Sequence, residues 1–313
     1  MGRFRFVSKR LAHTIPLLIG ISFLVFMVLK VAPGDSVRLL LGPRATEEQV
    51  SAYSREHGFD RNIFVQYAFY LRDLAHGNFG ASNRSATPVT EILTERAPET
   101  IWVITSGLLF TAVLALPLGL LAAAHRDRPT DHLIRSTTLV LLYLPTFWVG
   151  FVLIRVVALP TGWFPVSGFG DTFGEHVRAV ILPGMTLALA FTAVLARSIR
   201  SSVIDVLEAD YVAVARTLGV RGMRLIRRHV LRNSLIPTVN ILATQIGFLL
   251  FGVVLVEFTF DIQGLGTAFV DAASRQDLGV VQGITLVFAL AVVMINLVAD
   301  IVIASLDPRV LME

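Results

Sequence analysis

Cysteine is absent from the 313 residues. That excludes disulfides, thiol nucleophiles and every cysteine-ligated metal or cluster. Lysine occurs only at Lys9 and Lys30, preceded by Ser8 and Leu29. A Walker A loop needs glycine directly before its lysine, because its backbone N–H groups must cradle phosphate, so this chain cannot hold a nucleotide in that way. Asp, Glu, Lys and Arg together make up 16% of the residues, whereas a soluble globular domain carries about 25%. Neither His-Glu-x-x-His nor Gly-x-Ser-x-Gly occurs, and His13, His57, His76, His125, His132, His176 and His229 are scattered mostly into polar stretches. Metalloprotease and serine-hydrolase chemistry therefore lack their residues, and neither catalysis nor a metal site is expected.

What is present is hydrocarbon: 54% of the residues are hydrophobic and the mean hydropathy is +0.70. Six stretches contain no Asp, Glu, Lys or Arg: Thr14–Leu29, Ile101–Ala124, Ser136–Ile154, Ala179–Ala196, Ser234–Val256 and Leu278–Ala299. A bilayer-spanning helix needs about 20 apolar residues. The first stretch is the shortest, and Lys30 extends it by snorkelling to the interface. A cleaved signal peptide is the competing reading of the N-terminus, but no small-x-small site follows the apolar run, so an uncleaved first helix is expected. The fold class that follows is an all-α membrane protein of six transmembrane helices.

Basic residues in short loops mark the cytoplasmic side. They gather at Arg3, Arg5, Lys9 and Arg10, at Arg126, Arg128 and Arg135, and at Arg197 and Arg200 and beyond, which places both termini in the cytoplasm. The expected organisation is residues 1–32 as the cytoplasmic N-terminus and first span, 33–97 as an external segment, and 98–313 as a five-helix core with cytoplasmic helices at about 204–233. In the external segment, "APGD" (32–35) and "HGNFGAS" (76–82) are turn-rich and bracket amphipathic spacing around Phe64, Tyr67, Ala68 and Leu71. A solvated loop with a surface helix and a docking platform both fit that pattern.

The most unusual stretch is "EADYVAVARTLGVRGMRLIRRHVLRN" (208–233). Leu207, Tyr211, Val214, Ala215 and Leu218 recur at helical spacing and form an apolar stripe. Gly219 sits where a left-handed helix terminus is expected. A second apolar series follows at Leu225, Ile226, His229, Val230 and Asn233. Three roles compete: an anchor resting Arg221, Arg224, Arg227, Arg228 and Arg232 on anionic lipid, nucleic-acid binding, and protein docking. Nucleic acid is disfavoured because no aromatic residues interleave with the base.

Extended to "EADYVAVARTLGVRGMRLIRRHVLRNSLIP" (208–237), the stretch resembles the cytoplasmic coupling motif of ABC transporter permeases, in the version found in the dipeptide and oligopeptide family. Similar to that family are also "APGD", "HGNFGAS", "LPTFWVG" (144–150), "TGWFPVSG" (161–168), "ILPGMTLAL" (181–189), "VEFTFDIQGLG" (256–266), "QDLGVVQG" (276–283) and "INLVADIVIASLDPR" (295–309), so the resemblance covers nearly the whole chain. Two departures stand out. Ala213-Val214-Ala215 replaces Glu-Ala-Ala, and His229-Val230-Leu231-Arg232 replaces Ile-x-Leu-Pro.

The resemblance implies a type I ABC importer permease fold in the bacterial inner membrane. It further implies pairing with a second permease, two ATPase subunits that bind ATP and Mg, an external substrate-binding protein and a peptide substrate, with glutathione or nickel chelates as alternatives. No cofactor would be bound by this chain. Its ATPase-coupling residues would be Glu208, Ala209, Asp210, Tyr211, Val214, Ala215, Leu218, Gly219, Arg224, His229 and Arg232.

An ion-coupled carrier would instead need ionisable groups within its spans. Glu257, Asn296 and Asp300 are the nearest candidates, with Asn296 read as interhelical glue. A water-filled path for a zwitterionic peptide needs small, weakly polar walls. Thr186, Thr192, Thr244, Gln245 and Gly247 are candidates for it, although ordinary small-residue helix packing accounts for each equally well. Pro145 and Pro183 are expected to mark kinks.

Overall fold

The structure is a computed structural model and describes residues 2–31, 45–56, 61–220, 222–226 and 230–306. Its regular structure among these residues is helical, beside one isolated bridge between Ala81 and Pro88. In chain order the helices are α1 (Gly2–Val31), α2 (Glu47–Glu56), α3 (Ile63–Ala75), α4 (Val89–Ala124), α5 (Pro129–Tyr143) and α6 (Thr146–Leu153). After α6 come a π-helical turn (Ile154–Ala158) and a last turn (Leu159–Thr161). Then follow α7 (Phe173–Glu208), α8 (Asp210–Thr217), α9 (Gly222–Leu225), α10 (Leu231–Phe260), α11 (Leu265–Ser274) and α12 (Leu278–Leu306).

The charge-free stretches are helical, but Ser136–Ile154 is interrupted at Leu144 and Pro145. Among the described residues, Val89–Ala124, Phe173–Glu208 and Leu278–Ile303 are long and apolar enough to cross a membrane alone, and two bent pairs raise the number to five. The stretch Ser136–Ile154 is not one rod as its composition suggested, because α5 meets Thr146–Thr161 at 103°. Pro145 supplies no N–H and pushes the preceding residue out of the helical region; Leu144 has ψ 130°. Pro183, by contrast, lies inside an uninterrupted α7. The other bent pair, Pro237–Gln245 and Gly247–Phe260, turns by 49° within α10. The first apolar helix, Thr14–Met27, is shorter.

The chain divides into two compact units. The first is built on Ile101–Ile262, with Met1–Arg10 and Met294–Glu313. Its core joins Val103 of α4, Leu182, Leu187 and Phe191 of α7, and Val253, Val256 and Phe260 of α10. The helices approach closely where side chains are missing: a Cβ on Gly119 would stand 2.7 Å from Cβ of Ile199, and one on Gly184 2.5 Å from Oγ of Ser106. Such small-residue seams let backbones pack through dispersion where lipid gives no hydrophobic drive. α7 is capped by a reciprocal box in which Thr172 Oγ1 accepts from the Glu175 N–H and the Glu175 carboxylate accepts from the Thr172 N–H at 2.9 Å.

The second unit holds Leu11–Thr100 and Gln263–Val293. Its core gathers Val89, Leu93, Leu265, Ala272, Val280 and Ile284. Two of the motif stretches, 195 residues apart, meet here. The Ser82 hydroxyl donates to the Asp277 carboxylate, which also accepts from the Asn83 N–H at 3.0 Å. Gly279 leaves room for the Ala81 carbonyl, which a Cβ would approach to 2.5 Å. α3 is not a freely solvated surface helix, since the Tyr67 hydroxyl donates to the Ile19 carbonyl of α1 at 2.7 Å and its ring meets Phe23 and Phe26. Phe64, read from the sequence onto the same face as Tyr67, is instead 69% exposed.

Candidate functional site

α7 ends because Ala209 adopts an extended conformation, φ −70° and ψ 142°, which turns the chain out of the helix axis. α8 restarts at once, with Asp210 in its first turn facing the positive end of the helix dipole. It stops in a Schellman motif: the Val220 N–H donates to the Ala215 carbonyl and the Gly219 N–H to the Arg216 carbonyl, both at 3.0 Å. Gly219 has φ +84°, the left-handed conformation its place at the end of the stripe calls for, and Gly222 has φ +62°. These two glycines reverse the chain so that α9 folds back on α8.

A small inner core holds the two helices together. Val212, Ala215 and Leu225 are buried, with Val206 of α7 and Val220 packed against them. Full burial of a valine or leucine side chain contributes about 1.5–3 kcal/mol, so this cluster suffices to fix the turn. Tyr211, Val214 and Leu218 lie on the other side at 45%, 56% and 78% exposed. The Tyr211 hydroxyl accepts from the Asn233 amide at 2.9 Å, which steadies that ring at the start of α10.

The stripe read from the sequence therefore divides. Ala215 belongs to the inner core and not to the exposed face, because within α8 it stands at the edge of the stripe beside Val212, three residues before it, and both meet Leu225. The residue that spacing passed over is Val212, fully buried, whose signal was its i,i+3 relation to Ala215 and the apolar Leu225 beyond the glycines. Glu208, Asp210, Gly219 and Arg224 are exposed, and Ala209 is half-buried at the break. His229 and the side chain of Arg232 lie outside the described residues.

Two ion pairs brace the end of α7, where this element begins, one to the loop after α4 and one to the first turn of α5. Arg126 donates to Glu208, an exposed pair that solvent screens and so a weak tie. Arg200 of α7 donates to both oxygens of Asp131 at 2.7 and 2.6 Å, and Asp131 is fully buried. Asp131 also accepts from the Asp127 N–H at 2.9 Å. The Arg200 guanidinium compensates its charge in that buried place. α8 is thus packed against the end of α7, which meets α10 in the core of the same unit.

The candidate path residues are not gathered on one surface. Thr186 and Thr192 are buried in helix packing, with the Thr186 hydroxyl donating to the Leu182 carbonyl at 2.8 Å. Thr244 and Gly247 are exposed on α10 and Gln245 is half-buried. Glu257 is fully buried near the C-terminal end of α10. No group of three metal-ligating side chains occurs among the described residues.

These features define a polytopic helical membrane protein with a braced, partly exposed helix pair between two long apolar helices. The chain belongs to the family of binding-protein-dependent transport system inner membrane components, whose model matches residues 115–312; the N-terminal model of the same group matches 3–104. Among curated relatives, the oligopeptide transport system permease protein AppB of Bacillus subtilis (strain 168) is 35% identical over 311 residues, covering 97% of this chain and 98% of the relative. The glutathione transport system permease protein GsiC of Salmonella typhimurium (strain LT2) is 34% identical and that of Escherichia coli (strain K12) 35%, at the same coverage. A chain of the MetNI methionine ABC transporter in an inward facing conformation shares the fold, with TM-score 0.54 and 17% identity over 69% of this chain and 96% of that one. The protein is a transport permease and not an enzyme.

Proposed function

We propose that this chain forms, with a second homologous permease, the translocation path of an ATP-driven importer that takes up di- and oligopeptides delivered by an external binding protein. Two partner ATPase subunits bind ATP and Mg and hydrolyse the nucleotide. Six spans, both termini in the cytoplasm and residues 33–97 outside complete the reading. The observation that carries it is the pair α8–α9. Its inner face is satisfied by Val212, Ala215 and Leu225, while Tyr211, Val214 and Leu218 remain open to water, in a chain whose lysines cannot build a Walker A loop. An exposed apolar face on a short braced helix suits a groove in a partner. Motion of that partner would reach α7 through Val206 and the Arg126–Glu208 and Arg200–Asp131 pairs.

Peptide uptake is favoured by the relatives named for oligopeptide and glutathione transport, glutathione being itself a tripeptide. The test is ligand-stimulated ATP hydrolysis by the purified complex with its binding protein. Stimulation by di- and oligopeptides is expected, stimulation by glutathione alone would select that narrower reading, and stimulation by a nickel chelate alone would contradict peptide uptake.

A further inference from the structure

A cleft of about 680 Å³ opens between the end of α4, the start of α5 and the last turns of α7, within the first unit. Such a volume falls in the range of about 300–1,000 Å³ typical of sites for small ligands. Arg126, His132, Arg135, Arg197 and Arg200 line it with a single acid, Asp127. Arg126 is engaged by Glu208 and Asp127, and Arg200 by Asp131. Arg135 and Arg197 are exposed and make no ion pair within 4.0 Å among the described residues. Both guanidinium groups line the same cleft, with the buried Asp131 carboxylate acting on Arg135 from behind, and an anion between them would be attracted by both.

Their place in the chain says which anion. Arg135 immediately precedes the charge-free stretch Ser136–Ile154, and Arg197 immediately follows Ala179–Ala196. Both arginines therefore stand at the same membrane boundary, one where α5 enters hydrocarbon and one where α7 leaves it. Past Ser136 and Thr138, which also line the cleft, the wall turns apolar one turn after Arg135: Leu139 lines it at 45% exposed, and outside the lining Val140 and Tyr143 continue along α5 at 60% and 78%. Cation at the mouth and hydrocarbon on the next turn are complementary to an amphiphile and not to a free ion. We propose that this cleft is a binding site for an anionic phospholipid, its phosphate held by Arg135 and Arg197 and one acyl chain lying on Leu139 and Val140. Guanidinium forks bind phosphate bidentately, and basic pockets between membrane helices on the cytoplasmic side suit anionic headgroups. The choice of leaflet rests on the orientation given under the proposed function; the site itself does not.

The experiment titrates phosphatidylglycerol and phosphatidylcholine into the purified, assembled transporter and counts bound lipid by native mass spectrometry. One phosphatidylglycerol per copy of this chain is expected to bind ahead of phosphatidylcholine. An arginine beside an anionic headgroup is worth about fivefold in affinity. Arg135→Gln and Arg197→Gln should therefore each weaken phosphatidylglycerol binding about fivefold, and the double variant roughly 25-fold. Phosphatidylcholine binding should stay unchanged, and Arg135→Lys with Arg197→Lys, which keeps the charges but not the forks, should lose less of the preference than the glutamine pair. Arg128→Gln, outside the lining, should have no effect. Equal binding of the two lipids, or a double variant that keeps the preference, would overturn the proposal. Displacement of the lipid by inorganic phosphate or glycerol phosphate would overturn it in favour of a soluble-anion site. The measurement uses neither ATP nor peptide, so its failure and that of the import reading are told apart.

Discussion

Val214→Glu isolates the outer face of α8 from its inner one. Val214 is 56% exposed in mid-helix, and its carbonyl bonds to Leu218 and Thr217 do not involve the side chain. Glutamate is a better helix former than valine by about 0.3–0.5 kcal/mol. Asp210 lies four residues back, and a like charge at that spacing costs about 0.2–0.5 kcal/mol. The two terms cancel, so the permease itself should fold and insert as before. At a partner groove the same carboxylate would be buried without a counter-charge, which costs about 3–5 kcal/mol, or roughly two to three and a half powers of ten in affinity. The assay is co-purification of the ATPase subunits with the tagged permease over a dilution series. Near-complete loss is expected. Arg224→Glu, on an exposed side chain, should cost only about 1 kcal/mol. Ala215→Glu is a poorer probe, because it would strike the inner cluster and unfold the turn as well. If Val214→Glu kept the ATPase while Arg224→Glu lost it, recognition would run through charge and the apolar-face account would be wrong.

Gly219→Val should uncouple transport from ATP hydrolysis, because a β-branched residue at φ +84° carries about 1–2 kcal/mol of backbone strain although the space around it is open; coupled transport at the parental rate would refute the role of that turn. Asp131→Asn removes the charge that pairs with Arg200 in a buried site and should destabilise the fold by about 3 kcal/mol, seen as a lower thermal midpoint in detergent. An unchanged midpoint would mean that the pair does not brace α5 against α7. Phe64→Glu, on the open side of α3, should weaken stimulation of ATP hydrolysis by loaded binding protein without affecting assembly, since Tyr67 still holds α3 to α1; full stimulation would remove α3 from the docking surface.

Properties carried by short sequence windows were legible. The absence of charge marked every long helix, because a bilayer tolerates no unpaired ion, and Gly219 announced the end of α8 through the conformation only glycine adopts cheaply. What depended on phase or on distant partners was not. The way α8 sits on its neighbours has no composition signature, yet it turned Ala215 inward and left Tyr211, Val214 and Leu218 outside. Pro145 advertised a bend but not one of 103°. The buried positions of Thr186 and Thr192 follow from the face of α7 that meets α4 and α10, which helical periodicity alone leaves undetermined in an apolar segment. The Ser82–Asp277 contact joins two turns that only the folded chain brings together.

The central claim is that this permease moves peptide only when an ATPase engages α8. Uptake of a labelled dipeptide into proteoliposomes containing the binding protein should be measured with the complete complex, with the ATPase subunits omitted, and with the Val214→Glu permease. Uptake that requires ATP and the ATPases, and that falls to the ATPase-free level in Val214→Glu, is the predicted result. Dipeptide accumulation in liposomes lacking the ATPases, driven by an imposed ion gradient, would contradict it and make the chain a carrier.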